Sequence, residues 1–314
     1  MPGDALERLA DQADIDLWPD EMPPPYDELA LRTAPCDGLL CMLTDRIDAA
    51  LIHAAPRLRV LSQMAVGYDN IDVAAATARG IRVGNTPGVL TEATADLTFA
   101  LILAVARRIV EAERYVREGR WQTWDPRGLL GLELYGATLG IVGFGKIGQA
   151  VARRAQGFGM RVLYASRSAG RSPDETTLAA RTDVDALLRE SDIVTLHVPL
   201  SSETANMIGE RELRSMKATS FLINTARGGI VDQTALVHAL REGWIAGAGL
   251  DVAAVEPIPP GDPLLSAPNC ALLPHIGSAT LATRSRMASM AVDNLIAGLR
   301  GEPLPNCVNP EARR

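Results

Sequence analysis

Residues 139–142, Leu-Gly-Ile-Val, run straight into Gly143-Phe144-Gly145-Lys146-Ile147-Gly148, and a helical pattern continues to Phe158. A short apolar run, three glycines at this spacing and a helix directly behind them restrict the fold more than any other feature of the chain. Gly143 permits a tight turn, Gly145 lets the backbone approach a pyrophosphate, and Gly148 allows the helix to pack closely on the strand. The N–H groups and the positive end of the helix favour an anion beside Lys146 and Ile147. The bland alternative is an ordinary glycine-rich turn between strand and helix. The strand before and the helix after favour a dinucleotide loop.

The next strand, Arg161-Val162-Leu163-Tyr164-Ala165, ends at Ser166-Arg167-Ser168. An NAD site usually places Asp or Glu here to bind the ribose 2′-hydroxyl. This chain offers a hydroxyl, a guanidinium and a second hydroxyl, with Arg171 following. Those groups suit a 2′-phosphate, so NADP(H) is favoured and NAD(H) is the alternative. On the bland reading Arg167 is a solvated loop residue stacked on adenine.

Apolar, β-branched runs alternate with helical patterns along most of the chain, which argues α/β architecture with parallel sheets. Further strand-like runs lie at 38–43, 58–64, 193–198, 221–224, 247–252 and 271–273, and helical patterns at 46–55 and 282–299. Residues 91–117 hold neither proline nor glycine, with Thr91 placed to cap and Gly119 to terminate. We read them as one helix of about 40 Å at about 1.5 Å per residue, a core helix or a hinge between domains and part of a dimer interface.

With 314 residues the chain is long enough for two domains. Its net charge of −7 provides no basic footprint for nucleic acid. Met1-Pro2-Gly3-Asp4 has no basic head or apolar run, and the most apolar stretch, 99–106, is too short to span a bilayer. Cys36, Cys41, Cys270 and Cys307 form no CxxC pair, and the histidines are scattered. A reduced, cytoplasmic protein with no metal site is expected.

Three segments of the second half carry complementary chemistry. Asn224-Thr225-Ala226-Arg227-Gly228 supplies a guanidinium, 249–257 supplies Asp251 and Glu256, and Pro274-His275-Ile276-Gly277 supplies an imidazole. Arginine grips a carboxylate with two prongs. Histidine moves a proton near neutral pH, and a carboxylate beside it fixes its tautomer. Together they suit reduction of a 2-keto acid. Individually, Arg227 can be a helix-entry residue, Glu256 a solvated loop acid and His275 a core histidine. His53 and His238 read as surface residues.

With Ala65-Val66-Gly67-Tyr68-Asp69-Asn70-Ile71-Asp72, 224–232 and 274–280 added to these segments, the chain resembles the D-isomer-specific 2-hydroxyacid dehydrogenases, most closely the glyoxylate/hydroxypyruvate reductase branch. The resemblance covers about residues 4–309. It implies a Rossmann-type doubly wound parallel sheet, residues 91–281, inserted into a flavodoxin-like substrate domain formed by 1–90 and 282–314. The active site would lie in the cleft between them, and homodimers would pair through the nucleotide-binding domain. By resemblance, Arg227 holds the substrate carboxylate and carbonyl oxygen, His275 protonates the developing alkoxide, and Glu256 keeps His275 protonated. Backbone N–H groups of Val66 and Gly67 bind the carboxylate, and Ser278 supplies a pocket-wall hydroxyl. Asp251 lies near the nicotinamide amide. His197, Val198, Pro199, Thr204, Thr225, Ala226 and Gly277 complete the cofactor contacts.

The chain departs from the pattern twice. It begins almost at a helix, residues 4–12, where the family has a strand first, so we expect a natural start upstream, a rearranged sheet being the alternative. Gly128 stands where hydroxypyruvate reductases often carry a tryptophan, and Trp124 is the nearest substitute. The competing functions are a D-lactate-type or broad 2-hydroxyacid dehydrogenase, and a phosphoglycerate dehydrogenase, disfavoured by an end at Arg314. A dinucleotide-sensing corepressor is the non-enzyme alternative.

Overall fold

The computed structural model describes residues 1–167 and 179–312. Ser168 and Arg171, assigned above to the 2′-phosphate, lie outside the described residues. The chain divides into two compact units, Met1–Leu90 with Ser278–Arg314, and Thr91–Gly277.

In the first unit, β1 (Gly38–Cys41), β2 (Val60–Gln63) and β3 (Arg82–Gly84) form a parallel sheet in that order. Among the described residues, no strand precedes β1, whereas helices α1 (Ala5–Ala10) and α2 (Tyr26–Thr33) do. Helices α3 (Ala49–Ala54) and α4 (Val73–Ala78) complete the crossovers. Asp48 and Asp72 cap them, each accepting the N–H three residues on, and such caps contribute about 1 kcal/mol apiece. One apolar cluster joins Leu51, Ile52, Leu61 and Ile81. A second joins Ala5 and Leu9 of α1, Val60, and residues Ala288, Val292 and Leu295 of the last helix.

In the second unit a long helix, α5 (Thr91–Ala106), is followed by α6 (Ile109–Arg117), β4 (Thr138–Val142), α7 (Lys146–Gly157), β5 (Arg161–Ala165) and β6 (Ala180–Arg181). Then come α8 (Val184–Glu190), β7 (Ile193–Leu196), α9 (Glu210–Ser215), β8 (Phe221–Asn224), α10 (Gln233–Glu242), β9 (Gly247–Leu250) and β10 (Cys270–Leu272). The seven described strands are parallel in the order β10-β9-β8-β7-β4-β5-β6. Alternate residues of each strand enter opposite cores: Leu139, Ile141, Val162, Tyr164 and Ile193 on one face, Val142, Leu163, Ala165, Val194 and Leu196 on the other. Strands covered on both faces are the usual state of a parallel sheet, which explains their nearly continuous apolar composition. The helix α11 (Leu281–Arg300) belongs to the first unit.

The single helix expected over 91–117 is two helices. Arg108 adopts the left-handed conformation, φ 53°, and the Ala106 carbonyl accepts the N–H of Leu132 at 2.8 Å. A returning loop thus takes a carbonyl that a continuous helix would use itself, a tertiary cause with no glycine or proline to announce it. α5 buries one broad face, including Phe99, Leu101, Ile102 and Val105, whereas every residue of α6 keeps solvent contact. Among the described residues, no helix is long and apolar enough to cross a membrane.

Candidate active site

The strand order reverses between β4 and β7, and an open α/β sheet binds its ligands beyond the carboxyl ends of such strands. The loop after β4 is built for close approach. Gly143 has φ 95°, and a Cβ there would sit 2.6 Å from the His197 carbonyl at the end of β7. A Cβ on Gly148 would lie 2.2 Å from the Gly143 oxygen, while nothing lies within 4 Å of one on Gly145. Gly145 is the N-cap of α7 and provides no side-chain cap. The first-turn N–H groups around Lys146 and Ile147 are therefore offered outward, which fits a pyrophosphate.

The neighbouring predicted residues follow the same sheet edge. His197 donates its N–H to the Val142 oxygen at 2.7 Å, and its Nε2 lies 2.9 Å from the Thr195 hydroxyl. Burial pushes its imidazole down to about 3, so the ring is neutral. Val198 packs against the second core. Thr204 is only 7% exposed, and its hydroxyl folds the loop, donating to the Pro199 oxygen at 2.6 Å and accepting the Ser201 N–H at 2.8 Å. Thr225 meets the Thr98 hydroxyl at 3.0 Å. Beyond β5, Arg167 is ion-paired with Glu203, and Arg181 donates to the Ser166 oxygen at 3.0 Å.

The three residues read as one chemistry come from three strand ends. After β8, the Asn224 side chain accepts the Ala226 N–H at 3.0 Å and donates to the Arg227 oxygen at 2.8 Å. That turn fixes Arg227, which is half-buried and donates to the Ala226 oxygen. Gly228 then abuts the loop after β9, where a Cβ would meet the Ala253 oxygen at 1.9 Å. Only glycine allows these two loops to touch. In the second loop, Glu256 accepts the Ala253 N–H at 3.0 Å through one oxygen and the His275 Nδ1 at 2.7 Å through the other. Burial raises the Glu256 carboxyl. The His275 hydrogen bond and charge, the Ala253 N–H and the Arg227 guanidinium outweigh it and hold the group below the usual glutamate range.

His275 itself has φ 54°, a left-handed conformation uncommon outside glycine. Asp251 holds it there. The Asp251 backbone oxygen accepts the His275 N–H at 2.9 Å, and its two carboxylate oxygens accept the N–H groups of Ile276 and Gly277, each at 2.7 Å. Asp251 is 1% exposed, and burial pushes its carboxyl up against the pull of those two donors. The resemblance assigned Asp251 a cofactor contact. In the structure its carboxylate accepts the two backbone N–H groups of Ile276 and Gly277, contacts with no side-chain signature in the sequence.

Val66, Gly67 and Ser278 belong to the other unit. The carbonyls of the first loop are tied down: Ala65 accepts the Thr86 N–H at 2.9 Å, Val66 the Asn85 amide at 2.9 Å and Gly67 the Gln63 amide at 3.3 Å. Ser278 accepts the Thr280 N–H at 2.7 Å, just before α11. Trp121 and Trp124 are 66% and 80% exposed, and Gly128 closes a turn on the Asp125 oxygen at 3.1 Å.

Residues 99–277 match the family model described as D-isomer specific 2-hydroxyacid dehydrogenase, NAD binding domain. A protein of Korarchaeum cryptofilum named glyoxylate reductase is 57% identical over 313 residues, 99% of this chain and 94% of that protein. The solved TT0316 protein of Thermus thermophilus superposes with a TM-score of 0.91 at 50% identity, covering 98% of this chain and 97% of its own. An NADPH-dependent glyoxylate/hydroxypyruvate reductase of Sinorhizobium meliloti, solved with NADP and malonate, superposes with a TM-score of 0.82 at 36% identity, covering 90% and 87%.

Proposed function

We propose that this chain, which belongs to the D-isomer-specific 2-hydroxyacid dehydrogenase family, reduces glyoxylate and hydroxypyruvate to their 2-hydroxy acids with NADPH, through Arg227, His275 and Glu256. The observation that carries the chemistry is the 2.7 Å contact between His275 Nδ1 and Glu256. Pairing through Nδ1 makes Nε2 the nitrogen that passes a proton to the substrate oxygen. When bound, the nicotinamide supplies the hydride to the carbonyl carbon. Arg227 grips the substrate carboxylate with its fork and presents one carbonyl face, an ordering achieved before chemistry. The same cation stabilises charge as it develops on the carbonyl oxygen. His275 neutralises that oxygen by donating its Nε2 proton, and Glu256 stays ionised, keeping the ring oriented. Asp251 acts as a positioning residue through the backbone of 276 and 277. The substrate assignment is supported by relatives named glyoxylate reductase.

The NADPH preference is supported by Ser166 and Arg167 at the end of β5, where no acid stands. Arg167→Ala is expected to weaken NADPH about 10- to 100-fold, the range for loss of a charge-assisted hydrogen bond, and to leave NADH within about twofold. Fluorescence titration with both cofactors measures this. Equal loss for both would remove the 2′-phosphate assignment.

A homodimer paired through the second unit is supported by its surface. Ile109, Val110, Val116, Trp121, Trp124 and Tyr135 are all at least half exposed, at 50% to 80%. So dense a run of exposed apolar side chains is a mark of a subunit interface. Light scattering after size exclusion should return twice the 33.5 kDa chain mass; a monomer at micromolar concentration would exclude the pairing.

A further inference from the structure

The loop after β7 carries an acid that reaches the residue assigned to the 2′-phosphate. Glu203 and Arg167 form an ion pair, yet they stand 36 residues apart, in the loops that follow β7 and β5. The sheet order places β4 between those two strands. The pair therefore spans β4, whose Gly143–Gly148 loop is the one read as the pyrophosphate cradle. Its two ends have defined anchors. Thr204 braces the 199–204 loop through the Pro199 oxygen and the Ser201 N–H. Arg181, on the edge strand, holds the Ser166 oxygen at 3.0 Å. Both members are exposed, at 75% for Arg167 and 66% for Glu203, so the pair can open at little cost.

We propose that Glu203 is a specificity-determining residue: it occupies Arg167 as a counter-ion, and a 2′-phosphate binds by taking Arg167 from it. The inference rests on the 2′-phosphate reading of Arg167. Glu203 opposes NADPH twice, by competing for the guanidinium and by repelling a dianionic phosphate beside it. NADH, which has a hydroxyl at that place, meets neither effect. Glu203 thus narrows the margin between the two cofactors, and Arg167 widens it.

The test is a double-mutant cycle of Glu203→Gln and Arg167→Ala, read as dissociation constants for NADPH and NADH by fluorescence titration at low and high salt. Glu203→Gln alone is expected to tighten NADPH about three- to tenfold at low ionic strength, with a smaller gain at high salt. NADH should stay within about twofold, and the gain should shrink when Arg167 is absent. No change in NADPH affinity on Glu203→Gln, alongside selective loss on Arg167→Ala, overturns the proposal and leaves the 2′-phosphate reading intact. Weaker NADH with unchanged NADPH also overturns it, because Glu203 would then be binding the ribose hydroxyl. Equal losses for both cofactors on Arg167→Ala would instead sink the underlying reading.

Discussion

Replacing His275 with glutamine should leave NADPH binding within about twofold of the parent and slow glyoxylate turnover by about 100- to 10,000-fold, the usual contribution of a general acid. Glutamine keeps a donor toward Glu256 and has no titrating nitrogen to pass on a proton. The local backbone should survive the change, because Asp251 grips residues 275–277 through their N–H groups and not through the imidazole. Cofactor affinity therefore serves as the internal control. Turnover and NADPH affinity, measured on one preparation, separate loss of proton transfer from loss of the loop. A variant with near-parental turnover would remove His275 from the proton path.

Arg227→Gln should lower kcat/KM by about 1,000-fold or more, with a rise in KM and a fall in kcat together. The split follows from the two tasks proposed for the guanidinium. Carboxylate capture contributes to ground-state binding, while charge stabilisation at the carbonyl oxygen is realised in the transition state. Arg227→Lys keeps the charge without the planar fork and should recover only part of the loss. Steady-state kinetics with glyoxylate and hydroxypyruvate would show both effects. A change in KM alone would confine Arg227 to anchoring. The turn itself should remain folded, since Asn224 holds it through the Ala226 N–H and the Arg227 carbonyl.

Much of this arrangement was legible in the sequence because it is written in strand ends. Strand runs at 139–142, 161–165 and 221–224 correspond to β4, β5 and β8, and the groups that follow them are local motifs of three to six residues. What was missed is non-local. β3 and β6 are three and two residues long, too short for alternation to be visible. The break between α5 and α6 comes from Leu132, a residue 26 positions beyond the carbonyl it captures. The grip of Asp251 on 276 and 277 spans 25 and 26 positions, and its partners are N–H groups that nearly every residue type possesses. The pairing of Arg167 with Glu203 likewise exists only once the sheet order brings two loops together. Composition and spacing reveal which chemical groups a chain owns; they do not reveal which of those groups are already engaged.

The rims of the seven-stranded sheet bear on how copies of this protein can associate. One rim is β10, three residues long, and the other is β6, two exposed residues ending in Arg181. A strand edge recruits foreign chains in proportion to the unpaired main-chain groups it displays, and a terminal charge blunts it further. Among the described residues, neither rim offers enough template to propagate a sheet from one molecule to the next. Edges this short favour the closed pairing through side chains proposed above over open-ended, fibre-like growth, because symmetry then limits the number of subunits.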